Sequence, residues 1–332
     1  MATVQRLPRE NIVIDLRVGH QDETRVLADI RAGLLLPLPE TNPKYFYDDR
    51  GSALFEAICE LPEYYQTRTE HALLERSAPH VVAATAATEL VELGAGAALK
   101  TRVLLDSMAA AGTLRRFVPF DVSEGIVRRV ATELSREYLG LAIHGVVADF
   151  MDQMEEIPAG TGDPRLVLFL GGTIGNFRPA AAVEFLRRLS ARMRPGDFLL
   201  LGTDLVKDPV RLEAAYNDSR GITADFNRNV LRVLNNMLGA NFDLAAFEHR
   251  AFFDPNARWI EMRLVANRAQ HVQIPRLELE MRFQRGDEIR TEISAKYDRS
   301  AVEQMLTASG FRLAEWHSDP ADLFAVSLAQ HA

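Results

Sequence analysis

The 332 residues are 47% hydrophobic and 25% charged, enough for a buried core and long enough for two lobes. A formal net charge of −8 with no concentrated basic run makes nucleic acid a poor partner. Apolar runs such as residues 166–170 fall far short of the roughly 20 residues that cross a bilayer, so no membrane partner is expected. One cysteine, Cys59, excludes an internal disulfide framework, and residues 1–17 lack the apolar stretch of a signal peptide, so a reducing, cytoplasmic setting is expected.

The chain to about Glu70 reads as mainly helical. In residues 52–61, Leu54, Ala57, Ile58 and Leu61 fall on one face of a helix opened by Ser52, with Cys59 as a core thiol inside it. From Glu89 short apolar runs at 90–93, 117–120, 144–147, 166–170 and 198–201 alternate with helical segments such as 180–193. That alternation implies βαβ units and a parallel sheet covered on both faces. After Asp208 the pattern breaks into a helical stretch, 211–238, interrupted at Gly221. Two hairpins follow, turning near Asp254-Pro-Asn256 and at Arg285-Gly-Asp287. A helix from Ala301 and strands at 311–316 and 323–328 would complete the sheet. The predicted fold class is α/β, a Rossmann-like sheet with a second α+β lobe built from two separated segments. The division is 67–206 plus 295–332 for the sheet domain and 1–66 plus 207–294 for the second lobe, with a substrate cleft between them.

Open α/β sheets bind ligands beyond the carboxyl ends of their strands. The first such end carries Gly94 and Gly96, which let a ligand approach the backbone closely. Leu99 stands where a dinucleotide fingerprint would place its third glycine, which disfavours a pyrophosphate and with it a nicotinamide-dependent oxidoreductase. The next strand ends carry Asp121, suited to ribose hydroxyls, and Asp149-Phe150, a carboxylate for an exocyclic amine beside an aromatic surface for a base. Each acid alone is an ordinary turn or cap residue. Together they describe an adenosine site without a phosphate grip, which points to S-adenosylmethionine. The fourth end, Leu170-Gly-Gly-Thr-Ile-Gly-Asn-Phe177, offers Gly171 and Asn176 near the reactive end of such a ligand, unless Asn176 merely caps the following helix. Arg290, Glu292 and Ser294 alternate onto one strand face, either open to solvent or gripping a small polar group. Eight histidines show no metal-ligand spacing, so no metal is expected.

At these residues the chain resembles the histidine-specific Nα-methyltransferases of ergothioneine biosynthesis, over essentially its whole length. The most specific matches are Tyr47-Asp-Asp-Arg-Gly-Ser52, Leu61-Pro-Glu-Tyr-Tyr-Gln-Thr-Arg-Thr-Glu70, Glu92-Leu-Gly-Ala-Gly96 with Lys100-Thr-Arg102, Gly171-Gly-Thr-Ile-Gly-Asn176, and Tyr216-Asn-Asp218 with Phe226-Asn227. The resemblance implies a class I methyltransferase sheet and a cytoplasmic, monomeric enzyme that transfers methyl groups from S-adenosylmethionine to the α-nitrogen of L-histidine, up to three times, giving hercynine. It implies that Gly94, Gly96, Lys100, Asp121, Asp149 and Phe150 hold the cofactor. It places Tyr64, Asn176 and Tyr216 on the substrate carboxylate, and Glu292 and Ser294 on the imidazole, with Gly171, Phe55 and Met262 around the substrate. Tyr47 would lie by the α-amine, and Tyr47 and Asn176 are implied as catalytic. The chain departs from the family pattern at Ala97-Ala98-Leu99, where a more polar stretch is expected beside the cofactor's methionine end. Two alternatives stand beside this reading. One is the same chemistry on another amino acid or small amine. The other is a non-catalytic binding protein on this fold, which the retention of Asp121 and Asp149 disfavours.

Overall fold

A computed structural model describes residues 3–6, 11–17 and 23–331. Among them fourteen strands form three sheets: β1 (Thr3–Arg6), β2 (Ile12–Leu16), β3 (Glu89–Leu93), β4 (Arg116–Asp121), β5 (Ala142–Val147), β6 (Arg165–Phe169), β7 (Phe198–Asp204), β8 (Phe247–Asp254), β9 (Trp259–Ala266), β10 (Gln270–Ile274), β11 (Leu279–Phe283), β12 (Glu288–Ala295), β13 (Phe311–Ser318) and β14 (Phe324–His331). The helices are α1 (Glu23–Leu34), α2 (Asp49–Cys59), α3 (Gln66–Thr85), α4 (Leu99–Ala110), α5 (Glu124–Glu137), α6 (Pro179–Ser190), α7 (Pro209–Tyr216), α8 (Ile222–Leu238) and α9 (Arg299–Ala308).

The large sheet has nine strands in the order β1-β2-β5-β4-β3-β6-β7-β14-β13. Strands β2 to β7 run parallel, and β14 closes antiparallel on β7. Side chains alternate across it, as a strand's period of two requires. Leu166 and Leu168 of β6 join a core with Leu74, Leu104 and Leu134 of α3, α4 and α5, while Val167 and Phe169 join one with Phe185 of α6 and Leu306 of α9. Strand order reverses at β3, which lies between β4 and β6. The loop after β3 is therefore at the switch point where open sheets bind ligands.

A third core gathers Ile30, Leu34, Phe46 and Ile58 with Leu212, Leu231, Met262 and Ile289. It is roofed by the three-stranded sheet β12-β9-β8 and the ribbon β10-β11. The interruption at Gly221 is real, for this residue adopts φ +72° between α7 and α8.

Several sequence expectations need correction. The N-terminal stretch is mainly helical from Glu23 on, but it begins in strands: β2 pairs in parallel with β5, so Ile12–Leu16 belongs to the large sheet rather than to the second lobe assigned to 1–66. The helical reading of 18–22 lies outside the described residues. Asp48, not Ser52, caps α2, its side chain accepting from Gly51 N. Gly51 is required there, because a Cβ would stand 1.6 Å from the Phe46 carbonyl oxygen. The turn at Arg285-Gly-Asp287 does not close a hairpin. β11 pairs back to β10 while β12 crosses to β9, a pairing between distant segments that local alternation cannot register.

Candidate active site

Asp121 ends β4 beside the loop that leaves β3. Its Oδ2 accepts from Gly96 N at 3.0 Å and its Oδ1 from Ser123 N at 2.9 Å, so backbone amides hold the carboxylate at the strand end. Burial raises its pKa, and those amides oppose the shift. Gly94 and Gly96 both take positive φ. A Cβ on Gly94 would meet the Phe150 ring at 3.5 Å, whereas one on Gly96 would meet nothing. A glycine floor, an aromatic wall and a half-buried carboxylate with lone pairs to spare suit an adenosine moiety.

Asp149 is 4% exposed. It accepts from Met151 N at 2.9 Å and from Lys44 Nζ at 3.2 Å. Lys44, from the loop between α1 and α2, was not anticipated; its partner lies 105 residues away. Lys100 turns to Glu70, a fully buried carboxylate on α3 whose two oxygens also accept Gly171 N at 2.8 and 3.0 Å. Glu70 lies inside a matched stretch yet received no role from the sequence.

The substrate candidates gather where β12 meets the loop after β6. With its amide oriented to satisfy both bonds, Asn176 donates to Glu292 Oε1 at 3.2 Å and to the Ile293 carbonyl at 3.3 Å. The helix-cap alternative is not realised, since Arg178 holds the N-cap position of α6. Glu292 is raised to about 7 by burial, against the charge of Lys296. A cleft of ≈ 300 Å³ runs between α1 with its following loop and β12, lined by Leu36, Glu40, Asn176, Arg290, Glu292 and Ile293. A depression of ≈ 330 Å³ over Arg50, Arg228 and Arg232 contains none of the expected site residues.

Rings outside the lining of that cleft form a cluster of their own. Tyr47 packs edge-on against Phe55 at 5.6 Å and Phe226 at 5.5 Å, Phe55 contacts Tyr64 at 6.1 Å, and Tyr64 meets Tyr216 at 6.4 Å. The Tyr47-Asp48 segment is pinned from α8, where Asn229 donates to Asp48 Oδ1 at 2.7 Å. Burial raises the pKa of Tyr64 and Tyr216, so both stay neutral donors. Met262 is the cross-strand partner of Glu292 and is 2% exposed. The structure thus brings Tyr64, Tyr216, Asn176, Glu292, Ser294, Phe55 and Met262 together. Gly171 stands apart from them, its N–H committed to Glu70 and its Cα facing Lys100.

Ser294 is buried, which removes the solvent-facing alternative for its side of β12. Its Oγ accepts from Tyr216 at 2.8 Å and from Lys296 at 2.8 Å. Behind them Asp204 receives Lys296 at 2.8 Å, Lys207 at 2.5 Å and Tyr65 at 2.9 Å. Burial alone would raise Asp204, but the two ammonium groups hold it below the usual carboxylate range. None of these four residues stood out in sequence, since a lysine two places after a serine carries no pattern of its own. Among the described residues no cluster of potential ligands could hold a metal ion, and no helix is long and apolar enough to cross a membrane.

Residues 26–331 match the family described as histidine-specific methyltransferase, SAM-dependent. Histidine N-alpha-methyltransferase of Mycolicibacterium smegmatis is 49% identical over 91% of this chain and 93% of its own length. The protein of that name from Mycobacterium tuberculosis is 47% identical over the same shares. Ergothioneine biosynthesis protein 1 of Neurospora crassa is 27% identical over 81% of this chain, which spans 31% of that protein. With the match running through the adenosine-type strand ends and the Glu292 cleft alike, the chain belongs to the SAM-dependent, histidine-specific methyltransferase family.

Proposed function

We propose that the chain methylates the α-amino nitrogen of L-histidine, successively up to three times, to give Nα,Nα,Nα-trimethylhistidine. The observation that carries this reading is the pairing of Glu292 with Asn176 at the cleft, beside the buried hydroxyls of Ser294 and Tyr216. One carboxylate and one hydroxyl at adjacent same-face positions suit a ring that has an N–H and a bare nitrogen. Neutral donors on Tyr64 and Tyr216 suit the carboxylate, which they bind without the cost of burying a second full charge, and Asn176 joins them once the ligand draws one of its amide hydrogens from Glu292 or Ile293.

S-adenosylmethionine supplies an electrophilic methyl group on a sulfonium. In this reading Asp121 and Asp149 take the ribose and base, Gly94, Gly96 and Phe150 shape the floor, and Lys100 takes the carboxylate end. The protein's own work is positioning and exclusion of water. The aromatic wall of Tyr47, Phe55 and Phe226 adds roughly 0.5–2 kcal/mol of preference for the ammonium cation that grows with each methyl. The two-lobe division, with residues 12–16 moved to the sheet, a monomeric state and a cytoplasmic setting belong to the same proposal. The last is supported by the single cysteine.

The test is direct. Purified protein with S-adenosylmethionine and each of the twenty amino acids is analysed by mass spectrometry and fragmentation. Three added methyl groups on histidine, all on the α-nitrogen, are expected. Methylation of a ring nitrogen, or preference for another amino acid, overturns the proposal.

A further inference from the structure

Lys296 follows Ser294 by two residues on the same face of the chain, and its side chain is fully buried. An ammonium group has three N–H donors and no acceptor. All three are committed, to Asp204 Oδ2 at 2.8 Å, to the Tyr216 hydroxyl at 3.0 Å and to Ser294 Oγ at 2.8 Å. Asp204 keeps Lys296 charged, since its proximity raises the ammonium pKa against the effect of burial.

Tyr216 and Ser294 each bring one O–H, and each oxygen already accepts from Lys296. When Tyr216 donates to Ser294 across their 2.8 Å contact, both lone pairs of Ser294 are in use. The Ser294 proton then has to find an acceptor outside this trio. When a ligand carboxylate draws the Tyr216 proton instead, that hydroxyl too donates outward. Gly175 seals the arrangement, because a Cβ there would stand 2.9 Å from the Ala295 carbonyl oxygen and 3.3 Å from Ser294 Oγ.

We propose that Lys296 is a positioning residue that commits the hydroxyls of Ser294 and Tyr216 to donate, so that the site demands an acceptor nitrogen in the substrate ring as well as a carboxylate. The inference rests on the reading that Ser294 and Glu292 hold that ring. Glu292 takes the ring N–H and Ser294, fixed by Lys296, donates to the bare nitrogen. A five-membered ring with an N–H but no second nitrogen leaves the Ser294 proton unpaired in a buried site.

The experiment measures affinity for histidine and for β-(pyrrol-2-yl)alanine by calorimetry in the presence of S-adenosylhomocysteine. The protein is wild type, Lys296→Met or Ser294→Ala, with melting temperature and S-adenosylhomocysteine affinity as folding controls. Wild type is expected to prefer histidine by about 100-fold or more, within the range such buried polar contacts reach. In Lys296→Met the hydroxyls regain an internal partner, since Ser294 can then donate to the freed Tyr216 oxygen. The preference is expected to fall by at least about tenfold, and in Ser294→Ala it should fall further. A packing defect alone would weaken both ligands alike and leave the ratio in place. A wild-type ratio in folded Lys296→Met, with a collapsed ratio in Ser294→Ala, overturns the role of Lys296 and leaves the ring contact standing. An unmoved ratio in both variants overturns the ring contact and the proposal with it. Should Lys296→Met not fold, Lys296→Met with Asp204→Asn removes both charges of the pair and carries the same expectation.

Discussion

Glu70 and Gly171 are joined by a forked contact, both carboxylate oxygens accepting one amide N–H at 2.8 and 3.0 Å, while the same carboxylate holds Lys100. One buried side chain thereby ties the proposed cofactor grip to the loop that carries Asn176. Glu70→Ala leaves an amide and an ammonium without their partner, a loss of roughly 1–3 kcal/mol. The expected outcome is weaker binding of both S-adenosylhomocysteine and histidine, read by calorimetry on folded protein. If only one of the two affinities changes, Glu70 does not link the sites.

Asp121 offers a simpler test. In the proposed site it accepts ribose hydroxyls in addition to Gly96 and Ser123. Asp121→Ala should weaken S-adenosylhomocysteine binding by roughly 1–3 kcal/mol, about 5- to 150-fold, read on protein whose melting curve shows it folded, since the amides of Gly96 and Ser123 lose their partner as well. Unchanged affinity would place the ribose elsewhere.

Asp121 and Asp149 were legible in the sequence because strand ends in a βαβ repeat are set by local alternation, and the fold rule then says where ligands lie. Glu292 and Ser294 were legible as same-face neighbours, but not Ser294 as buried and Glu292 as half-buried. What covers them is β12 crossing to β9 and the approach of Tyr216 from α7, contacts some 30 and 80 residues apart in the chain. Lys296 and Asp204 were silent, since a buried ion pair between distant segments leaves no period in either. β2 was missed for the same reason: its partner, β5, lies far along the chain.

Two ionisations act in the same direction on the reaction. Glu292 is raised to about 7 by burial, so its carboxylate form, the better acceptor for a ring N–H, grows as pH rises through 7. The α-amine, with a reference pKa near ~8 in peptides and higher in a free amino acid, gains its attacking lone pair over a similar or higher range. The kcat/KM for histidine should therefore rise from pH 6 to about 9. Glu292→Gln should remove the lower of the two steps and leave the upper. A flat profile with methyl transfer shown to be rate-limiting contradicts both assignments.

Glu92 links pH to stability with the opposite sign. Burial raises it from 4.5 to about 8, against the Thr101 hydroxyl and the charge of Lys100. Between those values the folded chain holds a proton that the unfolded chain has released, so stability falls as pH rises from about 4.5 to 8. Glu92→Gln keeps the shape and removes the titration. Its melting temperature should approach or fall below that of wild type at pH 5 and exceed it at pH 8 by at least about 2 °C, the shift expected for a gain near 1 kcal/mol. An equal difference at both pH values would mean that Glu92 does not titrate in this range.

Preference for histidine should rest on Glu292 and on the space that Met262 leaves beside it. The two are cross-strand partners on β12 and β9, Met262 buried and Glu292 facing the cleft. A carboxylate pairs with an imidazole N–H, but against phenyl it is left unpaired, and indole offers its N–H in the wrong place. Sites built around a polar group reject partners lacking it by up to about 10⁴–10⁵-fold. Glu292→Ala should therefore weaken histidine methylation and, by the same change, lift the penalty on apolar rings. Met262→Val removes the reach of the thioether sulfur and its methyl from the wall and should add room for the larger rings only once the carboxylate is gone. The measurement is the ratio of kcat/KM for histidine over tryptophan and over phenylalanine in both single variants and the double. A fall in Glu292→Ala, deepened in the double variant, is expected, with Met262→Val alone close to wild type. If the ratio holds in Glu292→Ala, the carboxylate does not read the ring, and its bond from Asn176 serves only to brace the loop after β6 against β12.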